Sequence, residues 1–286
     1  MEEKRVIFFS KNCLDLGAPN VEMKKFLDGE SYVRIPALPQ IATEQEVTLF
    51  HRAYPEQDSS LIQLFLMLKT LKRQTDNISA VIPYLPYARQ DKMVLEGEAK
   101  SSEYVCNLLA ECGLCELISF DVHFLKQKGT YRYGNLRIKN ISLDEGLVKY
   151  FSKKCINPLI ISPDKGASYM VSDKGGIAME KKRKAYAQSE LAIRRVSMMK
   201  TDADMKGRDV IIIDDMIAGG GTMIKAVELC RKKGAKRIFC GATHGLFLKD
   251  CAKKIIGAGA QEVISSNSIP SEYSKINLMD SIRGLL

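Results

Sequence analysis

The chain has 286 residues, 45% of them hydrophobic and 27% charged, with 43 Lys and Arg against 34 Asp and Glu for a formal charge of +9. That length suits two domains of ordinary size, and no window approaches the roughly 18 apolar residues of a membrane span, so a membrane partner is excluded and a cytoplasmic location is expected. The positive excess forms no aromatic-interleaved stripe and accompanies no reading motif, which argues against nucleic acid and for small polyanionic substrates.

In chain order, residues 5–10 predict a first strand around Val6-Ile7-Phe8-Phe9, a run too short for a signal peptide. Phe26-Leu27-Asp28-Gly29-Glu30 reads as a hairpin turn, because Asp-Gly is a strong turn dipeptide between extended runs. A strand over 47–52 precedes a helix whose Leu61, Leu64, Phe65 and Leu68 make an apolar stripe for packing on a sheet. A strand over 80–84 leads into Pro83-Tyr84-Leu85-Pro86-Tyr87-Ala88-Arg89-Gln90-Asp91. Two prolines around an aromatic pair make a stiff loop able to present Arg89 and Gln90 at fixed height, and Arg gives a bidentate grip on phosphate. Val105, Leu108, Leu109 and Cys112 form a second helical stripe, and residues 116–121 a strand running into Asp121-Val122-His123. Eight scattered cysteines imply reduced thiols. The Cys112-Gly113-Leu114-Cys115 pair has no second pair at zinc-site spacing, and Gly113 falls where a helix end favours glycine.

The pattern then repeats, with strands expected at 159–162, 210–214, 237–243 and 262–265 and helices near 144–153, 166–173, 222–233 and 249–256. Strands alternating with amphipathic helices define an α/β class with mostly parallel sheets. Ser162-Pro163-Asp164-Lys165-Gly166 puts an acid at a strand end. Glu180-Lys181-Lys182-Arg183-Lys184 has, by charge alone, the look of a solvated face. Its place between the Asp164 loop and the next motif, beside Gly175-Gly176, is that of a basic flap. That next motif is Val210-Ile211-Ile212-Ile213-Asp214-Asp215-Met216-Ile217-Ala218-Gly219-Gly220-Gly221-Thr222. A buried strand here ends in paired acids suited to sugar hydroxyls. Glycines and a helix start then offer backbone N–H groups, with the Thr222 hydroxyl, to a phosphate. No Lys follows the glycines, so the Walker pattern is absent, as is the dinucleotide fingerprint. His51 and His244 read as satisfied strand-end residues.

The Val210–Thr222 stretch resembles the binding motif of the type I phosphoribosyltransferase superfamily. Together with the Phe26–Glu30, Pro83–Asp91, Asp121–His123 and Ser162–Gly166 segments it resembles, in order and spacing, the ribose-phosphate pyrophosphokinase family, and the compact archaeal-like members more than the longer bacterial ones. The resemblance implies two tandem phosphoribosyltransferase-like domains, each a mostly parallel sheet flanked by helices. Residues 1–143 would carry ATP-side and oligomer contacts, and residues 144–286 the ribose 5-phosphate site and basic flap. It implies transfer of the pyrophosphoryl group of ATP to the C1 hydroxyl of ribose 5-phosphate, with Mg2+ as cofactor and a homodimer or higher homo-oligomer as the working state. By the same resemblance Phe26, Asp28 and Glu30 meet adenine from a neighbouring subunit, and Arg89, Gln90 and His123 contact ATP. His123 and Asp164 are metal contacts, and Lys181, Arg183 and His123 act in catalysis. Asp214, Asp215, Ala218, Gly219, Gly220, Gly221 and Thr222 hold ribose 5-phosphate. Relatives commonly carry an acid or a serine at Ala218 and a threonine at Gly219, so weaker sugar-phosphate binding is expected here. A phosphoribosyltransferase and a regulatory relative without turnover stay as alternatives.

Overall fold

The computed structural model describes residues 5–183 and 196–285, with the side chains of 181–183, 196–198 and 285 left out of the description. The chain folds into two compact units, one made of Met1–Ile141 with Met279–Leu286 and the other of Ser142–Leu278.

The first unit runs β1 (Val6–Phe9), β2 (Glu22–Lys25), β3 (Ser31–Arg34), β4 (Val47–Phe50), α1 (Gln57–Leu71), β5 (Ile78–Val81), α2 (Ser101–Glu111), β6 (Glu116–Phe120), β7 (Gly129–Tyr133) and β8 (Leu136–Ile141). Six of these strands form one sheet in the order β1-β4-β5-β6-β8-β7, parallel except for the edge strand β7. Every residue of β4 and β5 is buried, the pattern of strands covered on both faces. The predicted stripe of α1 buries Leu61, Leu64 and Leu68, and Met67 and Leu71 join them. On α2 the buried face is Ser102, Val105, Cys106 and Leu109. That face leaves Leu108, expected in the core, on the solvent side at 45% exposure. The strand expected over 80–84 stops at Val81, because Pro83 has no N–H for a ladder. β2 and β3 pair antiparallel as the predicted hairpin, with Gly29 at φ +93° in its turn.

His51 is fully buried just beyond β4, its Nδ1 3.0 Å from Ser10 Oγ and its Nε2 2.9 Å from the Ser60 carbonyl. Burial holds its imidazole down at about 4, against an ordinary 6.5. The CxxC pair forms no bridge, and Gly113 (φ +103°) closes the end of α2 as its position suggested.

The second unit contains α3 (Asp144–Ser152), β9 (Leu159–Ser162), β10 (Ile177–Ala178), β11 (Glu180–Arg183), β12 (Val196–Lys200), β13 (Asp209–Ile217), α4 (Gly221–Lys232), β14 (Arg237–Gly245), α5 (Cys251–Gly257), β15 (Glu262–Ser266) and β16 (Ser274–Ile276). Its sheet is wholly parallel in the order β10-β9-β13-β14-β15-β16, with β13 near the centre and buried at every position. β11 and β12 pair separately as an antiparallel ribbon. The helix expected over 166–173 is instead two short 3-10 segments, Lys165–Met170 and Ser172–Lys174. Val171 at φ −126° separates them, and Gly175 in the left-handed region ends the second. No helix among the described residues is long and apolar enough to cross a membrane.

Candidate active site

In the second unit the carboxyl edge of the sheet carries the acidic motif. The apolar run predicts that the strand ends at Asp214, yet β13 continues to Ile217, paired with β14 through Met216↔His244 and Ile217↔Gly245. The two acids are absorbed into the strand because each serves the backbone: Asp214 Oδ1 accepts from the Asp215 amide at 3.0 Å and Asp215 Oδ1 from the Met216 amide at 2.8 Å. Each of the two residues keeps 8% of its surface exposed. Acids this buried, at the carboxyl end of a central parallel strand, sit where α/β sheets receive ligands.

The glycines after them do different jobs. Gly220, at φ +75° and ψ −9°, caps α4, and a Cβ built on it would lie 2.7 Å from Cys251 Cβ. Backbone conformation and packing both demand glycine there. Around Gly219 and Gly221 nothing lies within 4 Å of an added Cβ, so neither packing nor a positive φ accounts for them. What they leave is open space beside a helix start whose first amides have no intrahelical acceptor and whose dipole favours an anion. Thr222, half-buried, is the second residue of that helix.

Ala218 contributes its backbone: its carbonyl accepts from the Leu248 amide at 3.0 Å and from Cys251 Sγ at 3.1 Å. Leu248 and Cys251 thus brace the glycine loop from the segment leading into α5. Neither is singled out by a sequence motif, because Cys251 lies 33 residues beyond the carbonyl it holds. Burial pushes its thiol up to about 11, so it stays protonated as a donor.

On the other side of β13, Asp164 lies just past β9 and is half-buried. Its Oδ1 accepts from the Gly166 amide at 2.7 Å, capping the 3-10 segment that follows. The edge of this unit therefore brings Asp164, Asp214, Asp215 and the Ala218–Thr222 loop onto adjacent strand ends. His244, beside them on β14, is 2% exposed, with Nδ1 2.9 Å from Ser268 Oγ, as befits a strand-end residue with its own partner. The backbones of Lys181 and Arg183 occupy alternate positions of β11, opposite Met199 and Val196 of β12. Their side chains, and Lys184, lie outside the described residues.

In the first unit the loop after β5 buries Tyr84, Leu85 and Ala88 and leaves Arg89 exposed, with no hydrogen bond or ion pair to any described residue. Tyr87, at φ +61°, is pinned by a hydrogen bond from its hydroxyl to Asp58. Gln90 is also exposed, but its Oε1 accepts from Ser101 Oγ at 2.7 Å and its carbonyl from the Ser102 amide at 3.2 Å. Gln90 thereby ties the loop to the start of α2 while Arg89 projects from it. His123 is half-buried in the turn after β6, and its carbonyl accepts from Lys126 Nζ at 2.6 Å. At the hairpin tip, Asp28 Oδ1 accepts from the Glu30 amide at 3.1 Å, and Phe26, 55% exposed, meets Tyr32 edge-on at 5.9 Å.

Among the described residues no three His, Cys, Asp or Glu side chains gather closely enough to hold a metal unaided. Hard carboxylate oxygens in small number fit magnesium, which retains several waters and takes few protein ligands. They do not make a zinc-type cage.

A parallel sheet with paired acids, an anion-accepting glycine turn and a helix start on its carboxyl edge defines a phosphoribosyltransferase-type domain. Residues 11–113 match a family described as the N-terminal domain of ribose phosphate pyrophosphokinase, and residues 171–283 match one described as the phosphoribosyl synthetase-associated domain. The ribose-phosphate pyrophosphokinase of Sulfurisphaera tokodaii is 35% identical over 269 residues, covering 91% of this chain and 88% of that one. The enzyme of the same name from Pyrococcus furiosus is 36% identical over 276 residues, covering 93% and 92%. The crystal structure of phosphoribosylpyrophosphate synthetase from Mycobacterium smegmatis superposes with a TM-score of 0.76 at 24% identity, over 99% of this chain and 98% of that one, and so shares the fold. The chain belongs to the ribose-phosphate pyrophosphokinase family.

Proposed function

We propose that this protein transfers the pyrophosphoryl group of ATP to the C1 hydroxyl of ribose 5-phosphate, releasing AMP, and does so in the cytoplasm as a homo-oligomer. The observation that carries the reading is the open space over Gly219 and Gly221 at the head of α4, directly after two nearly buried carboxylates. A pentose 5-phosphate suits both features: a dianion for the amides and vicinal hydroxyls able to donate to Asp214 and Asp215. Amides of residues 219–222 and the Thr222 hydroxyl hold the phosphate, while the bracing of Ala218 by Leu248 and Cys251 keeps those amides in place.

On the nucleotide side, Arg89 grips phosphate oxygens and Gln90 holds the loop that carries it. His123 and Asp164 would each offer magnesium a ligand, and the ion, when bound, would supply charge neutralisation to the nucleotide phosphates. Lys181 and Arg183 neutralise charge moving onto the departing AMP. Exposure of Phe26 and Leu27 at the hairpin tip supports its being offered to the adenine of a neighbouring copy.

The purified chain, given ATP, ribose 5-phosphate and magnesium, is expected to release AMP only when the sugar is present. Pyrophosphate release from the activated sugar plus a base, with no AMP, would instead mark a phosphoribosyltransferase. Inactivity in both assays would mark a regulatory relative. Lys181→Ala is expected to lower kcat more than tenfold with little change in substrate Kd. Parallel losses in kcat and Kd by stopped-flow and calorimetry would remove Lys181 from its role.

A further inference from the structure

Along β8 burial alternates, and Leu136, Ile138 and Asn140 occupy its buried face. The first two are wholly buried aliphatics, whereas Asn140, 2% exposed, sets an amide where a third apolar side chain would pack. We propose that Asn140 is a positioning residue for the transfer reaction, clasping the turn that presents His123. This role rests on the reading in which His123 serves the nucleotide and its metal, and it falls to a side chain outside every segment that carries the family resemblance.

A buried amide is tolerated when its donor and its acceptor are both used. Asn140 Oδ1 accepts from the Val122 amide at 2.9 Å, and its Nδ2 donates to the Gln127 carbonyl at 2.8 Å. His123 stands in the turn between those two bonds. Both partners are backbone groups with fixed roles, so the position demands one acceptor and one donor on a single short side chain. Asparagine provides the two, and neither an aliphatic residue nor an ionised aspartate does.

The entry to the turn needs such a hold. Asp121, wholly buried, sits at φ +35° with its amide on the Ile141 carbonyl at 2.9 Å. A non-glycine residue in the left-handed region keeps that conformation only where its neighbours over-determine it, and the bond from Asn140 reaches the very next amide. Farther along, the Leu125 amide donates to the Val122 carbonyl at 2.8 Å, and Phe124 stacks on Tyr133 of β7 at 4.1 Å between ring centroids. Without the clasp, Asp121 and Val122 relax and carry the imidazole with them. A displacement of about 1 Å at a reacting group costs on the order of a hundredfold in rate.

The chain has three histidines, at 51, 123 and 244, so histidine labelled in the ring gives three imidazole signals by NMR, two of them internal references. In the full-length protein without metal, Asn140→Leu is expected to move the His123 signal alone. It is also expected to lower kcat at least tenfold while the Kd for ribose 5-phosphate, read by calorimetry, stays unchanged. Asn140→Asp keeps the acceptor for Val122 and is expected to show the same two effects at smaller size, which carries the test if Asn140→Leu does not fold. Adding Asn140→Leu to His123→Gln is expected to cost no further activity, because both changes remove the same group from the reaction. An unmoved His123 signal in a folded Asn140 variant, or a full additional loss in the double variant, would overturn the positioning role. A His123→Gln enzyme with wild-type kcat would instead remove the reading of His123 itself, and with it this role, leaving any shifted signal as a purely structural effect.

Discussion

Gly220→Val is expected to destabilise the second unit by about 4 kcal/mol, the sum of about 1–2 kcal/mol for a left-handed non-glycine residue and up to about 3 kcal/mol for overpacking. The left-handed term follows from φ +75°, the packing term from a Cβ placed 2.7 Å from Cys251 Cβ and 3.2 Å from its sulfur. Neighbouring glycines supply the contrast. Gly221 stands inside α4 with open space around it, so alanine there is expected to be neutral or to stabilise by up to about 1 kcal/mol. The same methyl group occupies the volume assigned to the sugar phosphate, and ribose 5-phosphate affinity is expected to fall tenfold or more. Urea unfolding beside sugar-phosphate titration separates the two effects. A Gly221→Ala protein with unchanged affinity would show that the phosphate does not rest there, and a stable Gly220→Val protein would contradict the left-handed cap.

Acidification from pH 6.5 to pH 4 is expected to remove about 3 kcal/mol of stability through His51 alone. The imidazole titrates at about 4 when buried and near 6.5 when exposed, and each pH unit between is worth about 1.4 kcal/mol. In that window the unfolded chain binds a proton that the folded chain refuses, so stability rises with pH and is fully present above 6.5. Carboxylates held below their usual range, such as Asp209 beside Arg237, act at lower pH. Urea midpoints across pH 4–7.5 for the wild type and His51→Asn check this. The variant is expected to lose most of the slope in that window, and equal slopes would assign the acid sensitivity elsewhere.

How far the chain could be read in advance depended on whether a feature was local. Val210–Ile213 announced a buried strand, and the glycines announced an anion turn, because both signals lie within a dozen residues. The strand's continuation to Ile217 was not legible: two adjacent acids look like a terminus until their side chains are seen bonding to the next amides. β7 and β8 carry no strand expectation because the apolar residues of Leu136–Ile141 alternate with polar ones and give no continuous apolar run. The 166–173 segment breaks at Val171, whose φ of −126° leaves the helical region, and a sequence window does not show that break. Division of labour among the three glycines depends on Cys251, and the hold on the His123 turn on Asn140, 18 residues beyond the amide it bonds, so no short stretch of sequence records either.

The return of residues 279–286 to the first unit has a consequence for biosynthesis. Ile282, wholly buried, belongs with the rest of Met279–Leu286 to a unit whose earlier stretch ends at Ile141. While the ribosome is adding residues 142–278, that earlier unit must wait without its last stretch, Met279–Leu286, and is open to wrong partners or to chaperones. Ile282→Asp is therefore expected to lower the yield of folded protein in cells more than its isolated thermal stability would suggest.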